Sequence, residues 1–159
     1  MFVQNLSASE QLAMRSYLSQ PHKAIFDLGV SSGLRISDIL ILPKSVLDVR
    51  EPTIKEIKTG KSRRFYIPTK TRAELIKIAS CSPNALIFGA NNKCGHMTRQ
   101  AVYKAFKKAS SKANIKKNIG THSMRKSYAV KKASHGLKFV QSKLNHSHLA
   151  DTLLYILER

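Results

Sequence analysis

Apolar positions recur at a helical spacing in both outer parts of this chain and at a strand-like spacing between Val46 and Pro68. Ser7 and Glu10 form a capping box, the serine covering a free backbone N–H and the glutamate reaching back. It predicts a helix over about residues 8–19, ended before Pro21. Pro21 suits the first turn of a second helix, in which Ile25, Phe26, Leu28 and Val30 supply apolar surface and Gly33 provides the C-cap. Residues 36–42 read as a short helix stopped by Pro43.

Residues 46–49, 53–57 and 64–67 are β-branched or aromatic runs that predict strands, with Lys58 to Ser62 as a hairpin turn around Gly60. Residues 71–79 read as a helix, followed by a turn at Ser82-Pro83-Asn84 and a loop over 91–95. Thr98 is an N-cap for a helix to about residue 112, with Ala101, Val102, Ala105, Phe106 and Ala109 as its apolar stripe. A basic connection leads to a helix carrying His122 and Arg125 to about Ser134, broken at His135-Gly136. Two shorter helices near 137–144 and 149–158 finish the chain. No internal repeat, low-complexity tract or long linker interrupts this order, so residues 1–159 are expected to form a single domain. The fold class expected is α+β, mainly helical, with a small antiparallel sheet.

Charge narrows the partner. Twenty-eight Lys and Arg against nine Asp and Glu give a formal net charge of +19, which favours a polyanion and above all nucleic acid. Cys81 and Cys94 make no disulfide framework, and Cys94-Gly95-His96 lacks a second Cys/His pair at ligand spacing. His146 and His148 have no third ligand, so neither metal nor any other cofactor is expected. No apolar run reaches the roughly 18 residues of a membrane span. Cytoplasmic residence, in association with the nucleoid, is the expectation.

The candidate chemistry lies near the C-terminus. His122 and Arg125 stand at i, i+3, so both project from one helix face. An arginine there can hold a phosphate bidentately, and a histidine exchanges a proton near neutral pH. Taken singly, each candidate has a plain structural explanation: Arg35 as a surface arginine, Lys58 and Lys61 as solvated turn residues, Tyr155 as core packing among leucines. Charge alone does not decide between Lys58 and Lys61.

Four segments occurring in order are more specific. They are Ser32-Gly33-Leu34-Arg35-Ile36-Ser37-Asp38, Lys58-Thr59-Gly60-Lys61, Thr121-His122-Ser123-Met124-Arg125-Lys126-Ser127, and Leu144-Asn145-His146-Ser147 followed by Tyr155. From about Leu6 onward the chain closely resembles the catalytic domain of the tyrosine recombinase (phage integrase) family. The resemblance implies Arg35 and Arg125 as phosphate-clamping arginines, Lys58 as the hairpin acid, His122 and His146 as the two histidines, and Tyr155 as nucleophile. Asp38 matches an acidic position that supports the first arginine. Asn145 stands where many members have glycine. The family's N-terminal core-binding domain has no counterpart here, so an excised catalytic domain or a minimal member is expected.

The function implied is a site-specific DNA recombinase or integrase of a phage or mobile element. It would cut and rejoin strands through a 3′-phosphotyrosyl intermediate without metal or ATP. A strand-relaxing activity of the type IB topoisomerase kind, or a non-catalytic DNA-binding module, are the alternatives. Lys61, Arg99, Lys104, Lys107, Lys108 and Lys126 are the expected DNA contacts. The partner is double-stranded DNA, with a monomer in solution and a tetramer on synapsed DNA.

Overall fold

The computed structural model describes residues 3–157. Helix α1 (Ala8–Ser16) starts at the predicted box: Glu10 N donates to Ser7 Oγ at 3.2 Å and Ser7 N to Glu10 Oε2 at 2.7 Å. It stops short of the expected end because Tyr17 N and Leu18 N turn back onto the Met14 and Arg15 carbonyls. Helix α2 (His22–Ser32) closes on Gly33, whose φ of +66° lies where a side chain is strained. Helix α3 (Ile36–Leu40) follows at once.

The strand expected at 46–49 does not form. Pro43 leads into a 3-10 helix over Lys44–Asp48, closed by Val46 N donating to the Pro43 carbonyl at 3.2 Å. Val46 is buried, its neighbour Leu47 packs partly buried on the core and Val49 is 53% exposed, so the run does not alternate and offers no face for a sheet to cover. The sheet itself is a single hairpin of β1 (Thr53–Lys55) and β2 (Ser62–Arg64). Thr53 lies opposite Arg64, Ile54 opposite Arg63 and Lys55 opposite Ser62. The predicted turn is present at its tip, while the third strand begins two residues earlier than expected and ends at Arg64. Phe65 and Ile67 beyond it enter the core, Phe65 N still donating to the Pro52 carbonyl at 3.0 Å.

Helices α4 (Thr69–Ser80), α5 (Arg99–Lys112), α6 (Thr121–Lys132), α7 (Leu137–Leu144) and α8 (Leu149–Leu157) complete the order, with a 3-10 turn at Ala133–His135. Thr98 caps α5 as predicted, accepting from Ala101 N at 3.2 Å. Residue 158, the expected end of the last helix, lies outside the described residues. No described helix is long and apolar enough to cross a membrane.

Helix α2 occupies the middle and packs on α4, α5 and α6. Phe26 meets Phe106 of α5 edge to face at 5.7 Å between centroids. Against α6 the approach is closer still. A Cβ at Gly29 would stand 2.3 Å from Met124 Sδ, so only glycine allows this packing. That contact brings the C-terminal end of α2, with Gly33, against Arg125 of α6. A second, smaller cluster of Tyr128, Ala129, Val140 and Leu144, with Tyr155 and Ile156 packed on it, carries α7 and α8.

Candidate active site

Arg125 is the best-buried of the predicted catalytic residues, at 3% exposure in the middle of α6. Its Nη1 donates to the Gly33 carbonyl at 2.7 Å and its Nη2 to the Leu144 carbonyl at 2.6 Å. Both acceptors lie at the C-terminal ends of helices, where unpaired carbonyls carry partial negative charge. One side chain thus ties together α2, α6 and α7, and a guanidinium offers more N–H groups than these two carbonyls take. Burial, then the fields of Arg35 and Arg63, pull Arg125 down to about 10, which leaves it charged at neutral pH.

Arg35 reaches the same spot from the turn after Gly33. Its Nη1 lies 2.9 Å from Glu56 Oε2 but off a hydrogen-bond direction, so charge holds the pair more than a directed bond does. Glu56 is fully buried at the hairpin tip, where it also receives Thr59 Oγ1 at 2.8 Å and Arg63 Nη1 at 3.3 Å. Burial works to raise its pKa, and the Thr59 hydroxyl and Arg35 outweigh that, so the net shift is downward. Arg63, buried in turn, donates to the Ser32 carbonyl at 2.5 Å and the Gly33 carbonyl at 3.2 Å.

Glu56 and Arg63 are the residues that sequence reasoning missed. Period two along β1 carried a signal, because Ile54 and Glu56 share the inward side while Thr53 and Lys55 face solvent. Asp38, expected to support Arg35, interacts with it through charge, while the carboxylate in direct contact with Arg35 is that of Glu56. Asp38 Oδ1 accepts from Ile57 N at 3.0 Å, holding the hairpin, and burial pushes the acid's pKa upward.

The two histidines flank the arginines. His146 lies just beyond the C-terminus of α7, where Asn145 takes a left-handed conformation with φ +53°. Its Nδ1 is 3.0 Å from Thr152 Oγ1 of α8. Burial first, then the fields of Arg125 and Arg35, pull His146 down to about 4. His122, in the first turn of α6, keeps more than a third of its surface open. Its pKa is lowered by desolvation and by Arg125, Arg35, Lys58 and Arg99; given that exposure, the field of these cations is the better-founded cause. Both imidazoles are neutral at pH 7.

Tyr155, from α8, comes to the same cluster. Its ring meets His146 edge to face at 5.5 Å, and its hydroxyl donates a long 3.5 Å bond to the His122 carbonyl. Six predicted residues from five segments therefore gather or approach: Arg35, His122, Arg125, His146 and Tyr155 in contact or near contact, and exposed Lys58 close enough for its field to reach His122. Lys61 is likewise exposed at the hairpin tip. Among the described residues no three His, Cys, Asp or Glu side chains stand together as a metal site.

The expected DNA contacts divide. Arg99, Lys104 and Lys108 are exposed along α5. Lys107 is half-buried, donating to Asn118 Oδ1 at 3.0 Å. Lys126 departs from the expectation: it is 2% exposed, with its ammonium 5.8 Å over the Tyr155 ring, because α6 is buried on every side from Ser123 to Ala129.

The model of the phage integrase family matches residues 4–158. The chain belongs to that family. A tyrosine recombinase of Thermosipho africanus is 30% identical over 139 residues, which is 84% of this chain and 48% of that protein. The fold is that of XerA recombinase, at a TM-score of 0.81 and 20% identity over 99% of this chain and 61% of that one. A lambda integrase tetramer bound to a Holliday junction is similar at a TM-score of 0.73 and 18% identity, over 96% of this chain and 48% of the integrase. The chain thus spans about half the length of the curated relative.

Proposed function

We propose that this chain is the catalytic part of a site-specific DNA recombinase, cutting and rejoining double-stranded DNA through Tyr155. The observation that carries the reading is the convergence of two guanidinium groups, two neutral imidazoles and one phenol on a single spot of a strongly basic molecule. A phenol is a weak nucleophile near pH 7, with an ordinary pKa near 10. Attack on a phosphodiester adds negative charge to the non-bridging oxygens. Arg35 and Arg125, already fixed by Glu56 and by two helix-end carbonyls, oppose that charge with little reorganisation.

His122 accepts the phenol proton, a role open to it because the surrounding cations keep it neutral. With the Thr152 hydroxyl donating to Nδ1 of His146, its Nε2 carries the ring proton and donates to a phosphate oxygen. Lys58 delivers a proton to the departing 5′-oxygen from the hairpin tip. The Tyr155 oxygen replaces that 5′-oxygen on phosphorus, leaving a 3′-phosphotyrosyl link. Attack by a free 5′-hydroxyl then reverses the step. Lys61, Arg99, Lys104 and Lys108 anchor the backbone on the same basic surface. The working assembly is a monomer in solution and a tetramer on two synapsed duplexes, in an element of phage or mobile origin.

The test uses nicked or half-site duplexes with randomised sequence. The parent protein is expected to form a denaturant-resistant protein–DNA adduct that Tyr155→Phe abolishes while duplex binding persists. Binding without an adduct in the parent would favour a DNA-binding module. Relaxation of supercoiled plasmid without strand exchange would favour the topoisomerase-like alternative.

A further inference from the structure

Lys126 is a buried cation that the proposed chemistry leaves unused. Lysines are seldom fully buried without compensation, and this one is 2% exposed. Helix geometry explains its location. His122, Arg125 and Lys126 stand at i, i+3 and i+4 and so share one face of α6, turned toward α8. The Lys126 ammonium lies 5.8 Å from the centre of the Tyr155 ring, on its face. The ring edge meets His146 at 5.5 Å. The phenol ring is therefore met from two directions, by the Lys126 ammonium over its face and by the His146 ring.

We propose that Lys126 is a positioning residue for the nucleophile: its cation seats the Tyr155 ring against α6 and favours the phenolate over the phenol. This rests on the reading of Tyr155 as nucleophile. Two physical points support it. A cation over an aromatic face is attracted by the ring quadrupole, more strongly when both are desolvated. Ionising the phenol spreads negative charge into that same ring, so the attraction grows along the path to attack.

Other charges also act on the phenol. Arg125 does so from α6, while Arg35, Glu56 and Asp151 act on His146 beside the ring. Arg35 and Arg125 are committed to the phosphate once DNA is bound, and the phosphate charge offsets theirs. Lys126 is sealed from solvent beneath the ring, so its field on the phenol persists after the phosphate arrives.

The experiment compares the parent with Lys126→Met, which keeps the length and apolar stem but drops the charge, and with Lys126→Arg, which keeps the charge. The first readout is the rate of half-site adduct formation across pH. Lys126→Met should be about tenfold slower at neutral pH, with the deficit shrinking as pH rises and the phenol ionises unaided. Lys126→Arg should retain more than half the parent rate.

A deficit of equal size at every pH, or none, overturns the proposal. The second readout needs no catalysis: ultraviolet titration of each protein minus its Tyr155→Phe counterpart isolates the ionisation of this one phenol. Lys126→Met should move that ionisation to higher pH, and Lys126→Arg should leave it near the parent. An unmoved titration overturns the proposal whether or not adduct forms, whereas a parent that forms no adduct overturns the reading of Tyr155 instead.

Discussion

Two halves of the site are built to different standards of rigidity. The phosphate-clamping half is part of the main core. Arg125 is tied to the carbonyls of Gly33 and Leu144, Arg35 is paired with buried Glu56, and Arg63 braces Glu56 from below. The nucleophile half rests on a small separate cluster around Val140 and Leu144. Its last helix leaves Leu153, Leu154 and Leu157 at 40%, 59% and 62% exposure. Charges that oppose a transition state gain from being fixed in advance. A group that must approach, bond to and leave phosphorus gains from sitting on an element of low local stability.

Breaking the rigid half should have the larger consequences. Glu56→Ala leaves buried Arg63 and partly buried Arg35 without their shared carboxylate. By analogy with other broken buried pairs it should cost about 3–5 kcal/mol. In a chain of this length that is a fall in Tm of roughly 6 °C or more, read by thermal denaturation. Arg125→Ala should lower adduct formation by at least about a hundredfold. Duplex affinity measured by fluorescence anisotropy should fall only modestly, because most phosphate contacts come from exposed lysines and arginines. A collapse of affinity would make Arg125 an anchor and erase the contrast between the halves.

The nucleophile half should respond locally. Leu144→Ala removes a fully buried side chain from the small cluster and should cost about 2 kcal/mol or somewhat more. Hydrogen exchange should show that loss in α7 and α8 and leave α2 and α5 nearly unchanged. Equal acceleration throughout would mean that the two halves unfold as one.

The smallest effect is on pH dependence. His146 sits at about 4 in the fold, below the ordinary 6.5. Between those values the unfolded chain binds a proton that the native chain refuses. Stability therefore rises with pH through that window and is lost as pH falls across it. His122 and His22 are lowered as well and share the slope. His146→Gln should flatten the dependence of Tm on pH without removing it.

How much of this was legible in the sequence depends on the kind of signal. Helix boundaries set by side-chain caps, at Ser7 and Thr98, follow from residue type, because one oxygen covers one N–H. Arg35, His122, Arg125, His146 and Tyr155 were legible only as an ordered set, since each alone reads equally well as surface or core. The strand expected at 46–49 failed because β-branched residues prefer a strand only where a neighbouring strand and an apolar face await them. Glu56 and Arg63 escaped notice because a buried ion pair leaves no mark on hydropathy; only the alternation along β1 betrays which side Glu56 faces. Lys126 was read by its charge as a DNA contact, and nothing in its residue type marks a helix that is buried on every side from Ser123 to Ala129.

The central claim is that the phenol of Tyr155 attacks a phosphorus held by Arg35 and Arg125. Peptide mapping by mass spectrometry of the denaturant-resistant adduct tests it most directly. The account predicts a nucleotide remnant on Tyr155, and no such peptide from Arg125→Ala under the same exposure. A remnant on any other side chain, or an adduct that survives in Tyr155→Phe, contradicts it.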